Sequence, residues 1–148
     1  FWFKFIYPNI SFIESDNIDI VMNKIKENFI NNHVSYVYED ICIEKMWELN
    51  ADGVFDFNFS RIGRWWSNDK EIDIVAFDNT QNNIIFGECK FWENKVGINI
   101  LSALEEKSKC VEWNKNNRKE QFILFSVNGF TNDLIKLANE RKDVILFS

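Results

Sequence analysis

Glu71-Ile72-Asp73-Ile74-Val75-Ala76 and Ile84-Ile85-Phe86-Gly87-Glu88-Cys89-Lys90 each read as a β-strand carrying charge where buried strands are usually apolar. Strand side chains alternate between faces, so Glu71, Asp73 and Val75 are expected on one face of the first segment and Ile72, Ile74 and Ala76 on the other. In the second, Ile84, Phe86, Glu88 and Lys90 share a face. The intervening 78–83 stretch is Asp-Asn-Thr-Gln-Asn-Asn, a turn composition. If a hairpin forms through it, Asp73 comes near Glu88, although sequence does not fix the register. Two carboxylates and an ammonium on one sheet face are costly to bury unless a cation or a substrate phosphate joins them.

Outward from this pair, residues 54–66 are expected to form a preceding strand broken near Gly63, with Ser67-Asn68-Asp69-Lys70 as a tight loop. Upstream, residues 17–31 carry Ile18, Val21, Met22, Ile25 and Phe29 at helical spacing, with Ser15 or Asp16 as cap. A second helix is expected over 34–49, ended by Asn50-Ala51-Asp52-Gly53. Residues 1–7 are a short aromatic segment closed by Pro8-Asn9. Downstream, a helix over 99–113, a nearly continuous apolar strand over 121–127, a helix over 133–141 capped by Thr131, and a last strand over 144–147 complete the order α-α-β-β-β-α-β-α-β. Three strands in succession followed by alternating helix and strand indicate an α/β fold, a mixed β-sheet flanked by helices.

With 148 residues, one Pro and five Gly, the chain fits a single domain with no linker tract. The net charge of −6 excludes a whole-chain basic field for nucleic acid. The charge is uneven: residues 1–74 hold 7 Lys and Arg against 13 Asp and Glu, and the remainder 10 against 10. A phosphate-binding surface would therefore draw on Arg61, Arg64, Lys70 and the lysines between Lys90 and Lys119. Cys42, Cys89 and Cys110 form no CxxC pair and read as buried free thiols of a reducing cytoplasm. No run of about 18 apolar residues suggests a membrane span, and no signal-peptide pattern is seen. The opening Phe1-Trp2-Phe3 suggests a domain cut from a longer polypeptide.

Hard divalent cations select carboxylate oxygens, and a bound cation polarises a phosphoryl oxygen and acidifies water. Asp73, Glu88 and Lys90 thus form a minimal hydrolytic set; the bland alternative is a cross-strand ion pair on an exposed face. On the second helix Asp40, Glu44 and Glu48 form a stripe read as the solvated face. Glu39 falls off it, beside Ile43 and Met46, and wants a partner such as metal water or Lys90, unless it reaches solvent as a rim residue. Lys107 either faces the site or pairs with Glu105 and Glu106. Trp65-Trp66 and Phe91-Trp92 are core residues or stack on bases. His33, the one histidine, suits a cap on the second helix.

Ile62-Gly63-Arg64-Trp65-Trp66, the Glu71–Ala76 segment and Gly87-Glu88-Cys89-Lys90-Phe91-Trp92, in this order, resemble the C-terminal domain of archaeal AAA-type ATPases, and the aromatic opening of the chain resembles the start of that domain. It is similar to the PD-(D/E)XK nuclease superfamily, with a restriction-endonuclease-like fold. The resemblance implies that Asp73 is the first-motif aspartate, that Glu88 and Lys90 are the acid and lysine of the second, and that Glu39 is the helix glutamate many members carry. Glu71 would be an auxiliary acid. Ile72 stands where the motif name has proline. The expectation is a Mg²⁺- or Mn²⁺-dependent deoxyribonuclease, with metal on Glu39, Asp73 and Glu88, catalysis by Asp73, Glu88 and Lys90, and phosphate contacts from Arg64 and Lys107. Residues 1–32 would be an extension and helix leading from an upstream ATPase, and 33–148 the nuclease core. Partners would be DNA, that ATPase (no GxxxxGK[ST] occurs here) and a second copy. The other readings are a non-catalytic interaction, dimerisation or DNA-binding module with the same fold, and a ribonuclease.

Overall fold

β3 (Asn83–Lys90) is the middle strand of a five-stranded sheet, and its neighbours explain why its interior is buried throughout. The computed structural model describes residues 18–148. The aromatic opening segment and the Ser15 or Asp16 cap lie outside the described residues. The described residues fall into two compact units, one ending at Val37 and the other spanning Tyr38–Ser148. In the first, α1 (Ile18–Phe29) leads into a π-helical turn (Ile30–Val34). His33 was expected to cap the next helix. Instead it lies within this turn, its ring 5.1 Å from that of Phe29, so the two helices are not separated by a capped break.

α2 (Ser35–Ala51) is followed by β1 (Arg61–Ser67), β2 (Lys70–Asp78), β3, α3 (Ile98–Ser108), β4 (Lys119–Ser126), α4 (Asn132–Glu140) and β5 (Val144–Phe147). The strands lie side by side in chain order. β1, β2 and β3 are antiparallel, and β4 and β5 run parallel to β3. The mixed sheet and its flanking helices match the sequence expectation, apart from the inserted π-helical turn. The expected strand over 54–66 is shorter: residues 54–60 are irregular, although Phe55, Phe57 and Phe59 are buried at alternate positions. Asn50 holds this stretch, its amide donating to the Phe59 carbonyl at 3.1 Å and accepting the Phe59 N–H at 3.0 Å. The side chain thus occupies backbone groups that a strand would have paired. α3 also ends early, at Ser108, where the buried Arg118 guanidinium caps it by donating to the Ser108, Val111 and Trp113 carbonyls. Thr131 occupies the N-cap of α4 without a side-chain cap hydrogen bond, its carbonyl accepting the Ile135 N–H at 3.0 Å.

Side chains pack both faces of the sheet. On one, Leu101, Leu104 and Leu134 from α3 and α4 meet Ile72, Val75, Ile84, Phe86, Phe122 and Leu124. On the other, Cys42, Met46 and Leu49 from α2 and the three phenylalanines meet Ile74, Ala76, Ile85, Cys89, Ile123 and Phe125. Ile72 and Ile74 were expected to share a face, yet they belong to opposite layers. The cause is a β-bulge: Gly63 pairs with Val75 and Trp65 with Ile72, so Arg64 alone faces both Asp73 and Ile74. The extra residue reverses the alternation and re-aims Asp73.

Candidate functional site

The bulge sits where β2 and β3 part. Their ladder ends at Ile74 and Gly87, so Asp73 and Glu88 would be the next pair. In place of a ladder bond, the Cys89 N–H donates to the Asp73 carboxylate at 2.8 Å. Close approach of the strands depends on Gly87, where a Cβ would lie 2.9 Å from Ile74 Cβ and 3.0 Å from Ile123 Cγ2. Asp73 and Glu88 are therefore fixed beside each other by main-chain geometry, with only 8% and 6% of their surfaces exposed.

Electrostatics at this point are strained and partly compensated. Burial pushes the Asp73 carboxyl up to about 7, and the Glu88 charge adds to the rise, while the Cys89 N–H and Lys90 oppose it. Glu88 is held from two sides: Lys90 Nζ donates to Oε1 at 2.8 Å and Lys107 Nζ to Oε2 at 2.7 Å. Lys107 also donates to the Glu71 carbonyl at 2.8 Å, tying α3 to the start of β2. Burial alone would lower the Lys90 pKa, but the charges of Glu88 and Asp73 hold it above its ordinary value. The pair of ammonium groups thus balances the pair of acids.

Glu39, from α2, joins the periphery. Its Oε2 accepts from Arg64 Nε at 3.0 Å, and Arg64 Nη2 reaches Asp40 at 2.7 Å. Burial raises the Glu39 pKa in spite of Arg64, with Glu71 repelling it and Lys90 attracting it. Of the residues singled out from sequence, the structure joins Lys90 and Lys107 to Glu88 by hydrogen bonds and places Asp73 beside them, bonded to the Cys89 N–H. Glu39 stands beside them on its own ion pair, and the Glu71 side chain is exposed. Arg64 is engaged by Glu39 and Asp40, at 18% side-chain exposure. Arg61, at the start of β1 opposite Phe77, is at the far end of the sheet. Cys42 and Cys89 are buried free thiols as expected, whereas Cys110 is half-exposed and accepts from Lys70 at 3.2 Å. The contribution of the Cys89 N–H was invisible in the sequence, because a main-chain donor carries no residue signature.

Among the described residues, no three His, Cys, Asp or Glu side chains are grouped so as to hold a metal ion. Two buried carboxylates remain, and these suffice chemically for a cation that keeps several waters and takes further oxygens from a phosphate. The donor set is hard oxygen, which suits Mg²⁺ or Mn²⁺.

The chain is similar to other proteins over most of its length. A family model described as "Archaea bacterial proteins of unknown function" (DUF234) matches residues 2–122, a span that includes every side chain of the cluster. An uncharacterized protein of Methanocaldococcus jannaschii is 36% identical over 113 residues, covering 75% of this chain and 25% of the relative. The chain thus spans about a quarter of that relative's length. No solved structure matches it. No helix among the described residues is long and apolar enough to cross a membrane. By its match over residues 2–122, the chain belongs to this family of archaeal and bacterial proteins.

Proposed function

We propose that this domain hydrolyses phosphodiester bonds in DNA with the help of a divalent cation, in the manner of the restriction-endonuclease-like enzymes its sequence resembles. The observation that carries the reading is the buried Asp73–Glu88 pair at the parting of β2 and β3, flanked by the ammonium groups of Lys90 and Lys107. Asp73 and Glu88, with Glu39 once Arg64 lets it go, would hold Mg²⁺ or Mn²⁺. When bound, such an ion polarises the phosphoryl oxygen and supplies a water of lowered pKa. Asp73 is aimed by the Cys89 N–H. Lys90 stabilises negative charge developing on the phosphate, and Lys107, released from Glu88, binds a phosphate oxygen. Attachment to an ATPase in a longer polypeptide, and pairing with a second copy, belong to the same proposal.

The test is cleavage of plasmid, branched and single-stranded DNA in Mn²⁺ or Mg²⁺. Wild type should cut, and Asp73→Ala, Glu88→Ala and Lys90→Ala should not. A wild type that cuts none of these substrates and binds no Mn²⁺ defeats the proposal. A second reading is favoured by one observation: both Glu88 oxygens and Glu39 are already satisfied by Lys90, Lys107 and Arg64. The cluster is then a structural ion network in a non-catalytic interaction or DNA-binding module. Absence of Mn²⁺ binding with an intact fold would support it.

A further inference from the structure

The antiparallel register brings the end of β1, the start of β2 and the end of β3 to one end of the sheet, where Trp66 pairs across the ladder with Glu71. Trp66 is 71% exposed, far more than its neighbour Trp65, which packs against the α3 layer. Beyond the end of β3, Trp92 is 43% exposed, and Lys90 Nζ stands 5.2 Å from its ring. That same ammonium is 2.8 Å from Glu88. By this register Trp66 lies on the β1 side of the end of the sheet that holds the acids, and Trp92 just past β3, beside Lys90. Lys70 and Lys95, also exposed, lie on the flanking segments. An open indole beside a phosphodiester site offers a base a surface on which to stack.

From this placement we infer that Trp66 and Trp92 are stacking platforms for unpaired bases, and that the substrate is a single-stranded or frayed nucleic acid, not an intact duplex. A duplex hides its base faces, whereas a single strand offers both base faces and phosphates. Stacking on aromatic rings tolerates any base, so the inference gives strandedness and no sequence preference. It rests on the phosphodiesterase reading for the course of the strand past Glu88; the stacking itself does not require the cation.

The test uses the full chain in EDTA, so that no cleavage occurs, with binding followed by fluorescence anisotropy. The probes are a thymidine oligonucleotide of about 20 residues, an abasic strand of equal length, and a duplex. Wild type should bind the thymidine strand at least about tenfold more tightly than either of the others. Trp66→Ala and Trp92→Ala should each weaken that binding at least about fivefold without changing the circular dichroism, and Trp66→Phe and Trp92→Phe should restore most of it. Equal affinity for base-bearing and abasic strands, preference for duplex, alanine variants that bind like wild type, or phenylalanine variants as weak as alanine would each overturn the inference. A protein that grips the strand through these rings yet cuts nothing and binds no Mn²⁺ refutes the hydrolase and leaves this inference standing. One that cuts but ignores the rings refutes this inference alone.

Discussion

Asp73→Asn should stabilise the cation-free protein at alkaline pH, although it removes a charged partner of Lys90. The folded carboxyl titrates at about 7 against an ordinary 3.8, chiefly because it is buried and secondly because Glu88 is beside it. Between those two values the unfolded chain has released the proton and the folded chain has kept it. Stability therefore falls as pH rises from near 4 to near 7 and stays low above it. The rise in pKa corresponds to about 4 kcal/mol at full ionisation. The amide of Asp73→Asn carries no charge, and its oxygen still accepts the Cys89 N–H. The attraction of Lys90 is already contained in that rise, but burying the polar amide in place of the carboxyl offsets part of the gain, so about 2 kcal/mol should remain at pH near 8, or roughly 6 °C in Tm. Urea denaturation followed by tryptophan fluorescence in EDTA, from about pH 5 to pH 8, measures this directly. The variant should gain on wild type from about pH 5 to about pH 7 and level off toward pH 8. A variant less stable than wild type at the alkaline end, or a difference independent of pH, would refute the assignment of Asp73 as a buried, repelled carboxylate.

Three further substitutions test the frame around the site. Gly87→Ala would place a methyl 2.9 Å from Ile74 Cβ and 3.0 Å from Ile123 Cγ2, so it should cost about 2 kcal/mol in chemical denaturation and displace Glu88. Arg118→Met would leave the Ser108, Val111 and Trp113 carbonyls without the guanidinium that caps them, and should lower stability by about 3 kcal/mol, with accelerated amide exchange at the end of α3. Asn50→Ala removes both side-chain bonds to Phe59 and should cost about 1–2 kcal/mol, measured the same way, with residues 54–60 gaining exchange first.

The sheet was legible because its strands announce themselves. Residues 144–147 and the Glu71–Ala76 and Ile84–Lys90 segments carry runs of Ile, Val and Phe between turn residues, and their bounds moved by no more than two positions at either end. What sequence concealed was set by long-range partners. Residues 54–60 alternate like a strand, but Asn50 takes the Phe59 backbone groups. The helix after β3 ends at Ser108 because Arg118, ten residues on, caps it. Within the site, the spacing of two between Glu88 and Lys90 correctly placed them together, and Asp73 was found beside them. The face assignment of Ile72 failed because a bulge depends on pairing with β1, which no single strand encodes. Arg64 looked like a phosphate ligand as an isolated cation, and only the packing of α2 shows it paired with Glu39 and Asp40.

The acids at the parting of β2 and β3 are proposed here as a cation site. Calorimetric titration of the metal-free protein with Mn²⁺ at about pH 8, where Asp73 is ionised, addresses it most directly. Wild type should show one saturable site, abolished in Asp73→Ala and Glu88→Ala and accompanied by a rise in Tm. No heat of binding, or binding that survives both substitutions, would contradict it.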